Sequence, residues 1–213
     1  MRIIAIGDIH GMYFKLIELM NIISPNKEDK IIFMGDYIDR GPDSKQVLDY
    51  VIAMMEDGFN VIPLKGNHED MFINYLRKDE VEDGLFLYNG GRKTIDSYRR
   101  LKDGKFILPK EHRQFLDNLK LYHEEEYYFF VHAGISPDTT IPSCVDSDDA
   151  LWIRNDFIWS DNNWGKVIVF GHTIQKDGPL IMHNKRGIDT GAYSRDKLTA
   201  MVIDEGREKF ITV

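Results

Sequence analysis

Five short apolar runs, each with the composition of a buried β-strand, end in the same kind of turn. Ile3–Ile6 leads into Gly7-Asp8-Ile9-His10-Gly11, Ile31–Met34 into Gly35-Asp36, and Val61–Leu64 into Lys65-Gly66-Asn67-His68-Glu69. Tyr127–Val131 leads into His132-Ala133-Gly134, and Val167–Phe170 into Gly171-His172-Thr173. A chain that buries five strands and delivers a polar, ligand-type side chain at each carboxyl end is constrained to an α/β architecture. In open α/β sheets, that edge is where binding crevices form. Four of the seven histidines fall in these turns, which concentrates the candidate chemistry at one end of the strands.

Between the first three strands the pattern changes to a helical one. Phe14, Ile17, Leu19-Met20 and Ile23 predict the apolar stripe of a first helix; Val47-Leu48, Val51 and Met54-Met55 predict a second, which Gly58 terminates. Further helices are expected over about His68–Arg77, Gly91–Leu101 and Lys110–Leu119, and Leu198–Asp204 with Lys209–Val213 reads as a closing hairpin around Glu205-Gly206. The polar, acidic segment from Ile135 to Asp149 reads as a long loop, either a lid or a plain surface connection. At 213 residues with no linker or repeat, residues 1–213 are expected to form a single domain. No apolar run approaches the roughly 18 to 20 residues of a membrane helix, and the N-terminal run lacks the form of a signal peptide, so a cytoplasmic protein is expected. Cys144 is the only cysteine, which excludes an internal disulfide and a multi-cysteine zinc cage. A formal charge of −8 opposes non-specific nucleic-acid binding, since that affinity comes from neutralising phosphates. The expected state is a monomer without stable nucleic-acid or membrane partners.

Asp8 and His10 are two residues apart, so in an extended continuation of the strand both side chains point the same way and can grip one ion. Mixed carboxylate, amide and imidazole donors suit Mn2+, Fe or Zn2+ better than the all-oxygen shell of Ca2+. Asp8, His10, Asp36, Asn67, His132 and His172 make six candidate ligands, too many for one tetrahedral site. Two ions sharing one carboxylate account for the number. His112, His123 and His183 lie outside these turns and are expected to be structural or exposed. Asp43-Ser44, after Pro42, reads as a helix N-cap.

The ordered set GDIHG, GDYIDRG, GNHE, HAG and GHT resembles the signature motifs of the phosphoprotein phosphatases, within the calcineurin-like metallophosphoesterases. NGGRKTIDSY from Asn89, LWIRNDF from Leu151 and DTGA from Asp189 resemble the bacterial and phage branch. The resemblance implies a four-layer α/β/β/α sandwich of two mixed sheets flanked by helices. It also implies a binuclear centre of two divalent ions, Mn2+ foremost, with Fe, Zn2+ or Ni2+ as alternatives. Asp8, His10 and Asp36 would hold one ion, and Asp36, Asn67, His132 and His172 the other, with Asp36 as the bridge. Such a pair can hold a bridging water, lower its pKa and clamp phosphoryl oxygens during in-line attack. By the same resemblance Arg40 and Arg154 are the phosphate-binding arginines, His68 is the general acid, and Asp39 is the acid that orients His68.

The activity implied is hydrolysis of phosphate monoesters, on phosphorylated serine or threonine of a protein or peptide, with phosphotyrosine as an extension. A symmetrical diadenosine tetraphosphate hydrolase of the same family is the nearest rival; those enzymes, by resemblance, read GNHD and lack an acid at the position of Asp39. A non-catalytic protein-binding scaffold on the same fold is a third reading, opposed by the completeness of the ligand set.

Overall fold

The computed structural model describes residues 1–77, 84–98 and 106–213. The last part of the helix expected over Gly91–Leu101 lies outside the described residues.

Two five-stranded sheets form the centre. In the first, β1 (Ile3–Ile6), β2 (Lys30–Phe33) and β3 (Asn60–Pro63) run parallel, Ile4 opposite Ile31 and Ile31 opposite Val61. The second contains β4 (Tyr122–Glu124), β5 (Tyr128–Val131), β6 (Val167–Phe170), β7 (Leu180–Ile181) and β8 (Lys185–Gly187), with β5, β6 and β8 parallel in the order β4-β5-β6-β8-β7. The final hairpin, β9 (Thr199–Asp204) and β10 (Arg207–Thr212), returns to the first sheet, where β9 pairs antiparallel with β1. Its two-residue turn, Glu205 at φ 49° and Gly206 at φ 77°, has the twist that matches right-handed strands.

The strands are apolar on both faces because each sheet is covered on both. Ala5, Ile32, Met34, Phe130, Val169 and Met201 form the seam between the sheets. Their sequence neighbours point the other way: Ile4, Ile6, Ile31 and Phe33 meet α1 (Tyr13–Ile23) and α2 (Ser44–Glu56). On the far side, Phe129, Val131, Ile168 and Phe170 meet residues of α6 (Ser147–Trp152) and α7 (Asn155–Ile158). The result is the four-layer sandwich. The remaining helices are α3 (Asn67–Leu76), α4 (Arg92–Ser97), α5 (Lys110–Asp117) and the single turn α8 (Ala192–Arg195); the chain kinks at Gly90, φ 104°, just before α4.

Two local expectations are corrected. The buried stripe of α1 is Leu16, Leu19, Met20 and Ile23, whereas Phe14 is 77% exposed. The helix starts at Tyr13 and its inward face is fixed by the spacing 16, 19, 20, 23, which turns position 14 to solvent. Likewise Met55 lies outward beside the buried Met54. Asp43 is the residue preceding α2, but its side chain makes no capping bond. Ser44 is drawn inward, where its hydroxyl accepts from the Asp39 amide at 3.1 Å. The Ile135–Asp149 segment holds a 3-10 turn at Pro142–Cys144 and the start of α6, whose N-cap Asp146 accepts from the Asp149 amide.

Candidate active site

The turns following β1, β2, β3, β5 and β6 converge on one edge of the sandwich. Asp8, His10, Asp36, Asp39, Asn67, His68, His132 and His172 are all buried there. Five of the eight non-glycine residues with positive φ among the described residues belong to this cluster: His10, Asp36, Asp39, Arg40 and His172. Left-handed backbone at such residues costs of order 1–3 kcal/mol each and persists where surrounding structure over-determines it. Much of that restraint comes from Glu69, whose Oε2 accepts from the amides of Asp36 at 2.8 Å and Gly66 at 3.0 Å, while Oε1 accepts from Tyr37 at 2.9 Å. Glu69 sits three residues after Gly66 and also closes the first turn of α3.

The donor atoms form two groups that share Asp36. His10, Asp36 and His68 have ligand-type atoms mutually within 4.8 Å, and so do Asp36, His132 and His172. Asp36 Oδ2 faces His10 Nε2 at 3.4 Å, and Oδ1 faces His132 Nε2 at 3.4 Å. Asn67 Oδ1 joins the second group, 3.0 Å from both His132 Nε2 and His172 Nδ1. Asp8 stands outside both groups: its Oδ2 accepts from the His172 amide at 2.9 Å. The compact three-donor set on the first side thus contains His68 rather than Asp8.

The site fits a pair of cations. His10 Nδ1 donates to the Ile38 carbonyl at 2.9 Å and His132 Nδ1 to that of Met34 at 2.8 Å, so both rings present Nε2 lone pairs inward, the arrangement in which backbone carbonyls orient metal-binding imidazoles. Among the described residues, the only buried side-chain polar atoms without a hydrogen-bond partner are Asp8 Oδ1 and His172 Nε2. Positive charge already gathers here: the Arg40 guanidinium donates from Nη1 to His10 Nε2 at 2.8 Å and from Nη2 to His68 Nε2 at 2.9 Å.

Burial and neighbouring charges divide the imidazoles into two kinds. Burial pulls His10 down to about 3 and His172 down to about 2, and lowers His132, so these rings stay neutral and keep lone pairs available. His68 is the exception. Burial lowers it too, but the charge of Asp36 and the hydrogen bond and charge of Asp39 outweigh burial and raise it. His68 Nδ1 lies 2.6 Å from Asp39 Oδ2. Burial pushes Asp39 up while His68 and Thr94 hold it down. Burial also raises Asp36, but the surrounding histidines prevail and hold it well below the usual carboxylate range.

Arg154 reaches the same edge from α6–α7, its Nη1 donating to the His172 carbonyl at 3.1 Å. Its guanidinium remains largely exposed. Residues outside the earlier candidates complete the site. Thr94 donates to Asp39 Oδ1 at 2.5 Å and accepts from the Asp39 amide at 2.8 Å. Asp189, beyond β8, is buried; burial foremost and the Asp36 charge push it up to about 6. All three lie in quoted motifs, Glu69 in GNHE, Thr94 in NGGRKTIDSY and Asp189 in DTGA, but the motifs do not say what each side chain touches.

A family model described as calcineurin-like phosphoesterase matches residues 1–197. An asymmetrical bis(5'-nucleosyl)-tetraphosphatase of Halalkalibacterium halodurans is 27% identical over 96% of this chain and 91% of its own length. The serine/threonine-protein phosphatase 6 catalytic subunit of Caenorhabditis elegans is 29% identical over 97% of this chain and 62% of its own length. The crystal structure of a cold-active protein-tyrosine phosphatase from a psychrophilic Shewanella superposes with a TM-score of 0.67 at 18% identity, covering 99% of this chain and 80% of that one.

Proposed function

The chain belongs to the calcineurin-like phosphoesterase family, and on that premise we propose that it is a metal-dependent phosphomonoester hydrolase acting on phosphorylated serine and threonine side chains. The observation that carries this reading is the buried Asp39–His68 pair at 2.6 Å, set beside two donor groups that share Asp36. One histidine is held ready for a proton while three others are held neutral, and a separation of this kind marks acid and ligand roles.

Asp8, His10 and Asp36 would hold one divalent ion, and Asp36, Asn67, His132 and His172 a second; the donor set suits Mn2+, Fe or Zn2+, and the family resemblance puts Mn2+ foremost. When bound, the pair supplies Lewis-acid polarisation of the phosphoryl group and a nucleophilic water at neutral pH. The chain's own residues do the rest. Arg40 is parked on the lone pairs of His10 and His68, and a proton on His68 Nε2 competes for the same lone pair. Substrate phosphate draws the guanidinium onto its oxygens, which suits a planar, permanently charged fork, and frees His68 Nε2 to carry a proton. Asp39 keeps the other ring nitrogen protonated and the ring aimed, so that His68 delivers its proton to the departing oxygen. Arg154 offers a second guanidinium on the opposite side of the donor groups.

Paired substitutions separate these roles. With Mn2+ added, Asp36→Asn is expected to lower bound manganese, measured by plasma mass spectrometry, together with turnover of a phosphoserine peptide. Asp39→Asn should retain manganese and lose kcat by at least about 100-fold. Equal metal loss in both variants would contradict the assignment. Hydrolysis of dinucleoside polyphosphates is the second reading, supported by the tetraphosphatase relative; comparison of that substrate with the phosphopeptide decides between them.

A further inference from the structure

Beside Arg40 the surface opens into a cavity of about 450 Å3 that the catalytic assignments leave unused. It is lined by Arg40, Tyr88, Asn89, Gly90, Lys93 and Tyr193. The depression is shallow and open to solvent. The wall comes from Leu87–Gly91, where the backbone kinks at Gly90 with φ 104°. The turn is seated on the catalytic arginine: the Gly90 carbonyl accepts from the Arg40 amide at 3.4 Å, and a Cβ on Gly90 would stand 3.0 Å from that nitrogen and 3.1 Å from Arg40 Cγ. Tyr88 and Tyr193 arrive from distant parts of the sequence, yet both remain open, Tyr88 at 89% and Tyr193 at 51% exposure. Neither ring packs on another aromatic side chain among the described residues, and the Lys93 ammonium has no acidic partner among them.

Two uncovered aromatic faces and a cation without an acidic partner among the described residues, next to a phosphate-binding arginine, describe a complementary molecule. We infer that this cavity is a recognition subsite for a planar aromatic group carried by the phosphate ester, with Lys93 meeting a further negative charge on the same molecule. A flat ring gains stacking on tyrosine and removes apolar surface from water, and a ring tethered to the phosphate, directly or through a sugar, needs no separate anchor. A phosphoserine side chain carries nothing flat to lay against the two tyrosines. The same chemistry is offered by a phosphotyrosine residue and by a nucleotide. The inference rests on the phosphoesterase reading above and ranks an aromatic ester ahead of the phosphoserine and phosphothreonine named there.

The test uses the full chain with Mn2+ and three substrates: a phosphotyrosine peptide, the same peptide with phosphoserine, and diadenosine tetraphosphate. For the native protein, kcat/KM is expected to be higher for at least one aromatic substrate than for phosphoserine; the one that gains identifies the source of the ring. The double variant Tyr88→Ala, Tyr193→Ala should lose about tenfold of that advantage, whereas Tyr88→Phe, Tyr193→Phe should keep it. Lys93→Ala should raise KM for the favoured substrate, more at low salt than at high. Tyr127→Ala, an exposed tyrosine at the opposite end of β5 from His132, controls for loss of surface aromatics and should leave the ratio unchanged. An advantage kept within twofold in the double alanine variant overturns the inference, as does a native protein that prefers phosphoserine to both aromatic substrates; either result leaves the phosphoesterase reading standing. No turnover of any of the three takes both down.

Discussion

Thr94 is a small side chain on which the proposed proton delivery depends. Its hydroxyl donates to Asp39 Oδ1 at 2.5 Å and accepts from the Asp39 amide at 2.8 Å, and it lies 3.2 Å from Ser44 Oγ. Thr94→Val keeps the volume and removes the hydroxyl. The Asp39 amide retains Ser44 Oγ at 3.1 Å, so the backbone donor stays satisfied, but the buried carboxylate oxygen loses its partner. A hydrogen bond to a charged group is worth about 1.5–3 kcal/mol net, so about 2 kcal/mol of stability should be lost. For a chain of this length that lowers Tm by about 4–8 °C. The kinetic consequence is more specific. Without Thr94, burial drives Asp39 further toward its neutral form and its hold on His68 loosens. Delivery of a proton matters most when the leaving oxygen is basic. Turnover of phenyl phosphate, whose phenol has a pKa of about 10, should therefore fall about tenfold or more, while a nitrophenyl phosphate with a far more acidic phenol should fall little. Thr94→Ser should restore both. Equal losses on the two esters, or a native-like Tm, would refute the reasoning.

Two other perturbations read different parts of the structure. A Cβ on Gly171 would stand 2.1 Å from Asp8 Oδ1, so Gly171→Ala should push the carboxylate aside, destabilise the fold by about 1–3 kcal/mol and lower bound manganese; unchanged metal content would show that Asp8 is no ligand. His112, buried with its ring between the Tyr98 hydroxyl at 2.8 Å and Asp49 Oδ1 at 2.9 Å, is lowered by burial against the pull of Asp49. A histidine depressed in the folded state contributes stability that is fully present above its unfolded pKa of about 6.5 and is lost as pH falls below it, at a limit of about 1.4 kcal/mol per pH unit. Urea unfolding at pH 7.5, 6.5 and 5.5 should show a shallower acid decline for His112→Phe than for the native chain; parallel declines would show that the ring does not titrate on unfolding.

The strands and their ligand-bearing turns were legible because both are local. Apolar runs and the residues that follow them are written in consecutive positions, and Asp36, Asn67, His132 and His172 meet where those runs end. The partition into two sheets was not written that way: β9 reaches β1 across almost the whole chain, and only the family resemblance supplied it. Phe14 was misread because hydrophobicity was weighed without the angular phase of the helix, which Leu16 sets. Ser44 reads from sequence as part of a helix N-cap and Thr94 as one member of the NGGRKTIDSY motif, for a related reason. Each is a small polar residue at the start of an amphipathic helix, where an outward-facing hydroxyl is the ordinary expectation. Their inward role becomes visible only once α4 is laid against the turn that follows β2.

The motif glycines also change meaning. Gly171 leaves room for Asp8, and Gly66 leaves room for Asp36, whose Oδ1 would lie 2.1 Å from a Cβ there. In both cases the glycine and the acid belong to different turns, so each acid sits in a volume reserved by a residue remote from it in the chain. A side chain gained at either glycine is harmful while the acid remains; losing the Asp8 carboxylate clears the space at Gly171, whereas at Gly66 the Asp36 backbone nitrogen, 2.4 Å from a Cβ, keeps the position closed. Among descendants in which the Asp8 carboxylate has been lost, Gly171 should therefore be free to drift while Gly66 stays fixed by the backbone it faces.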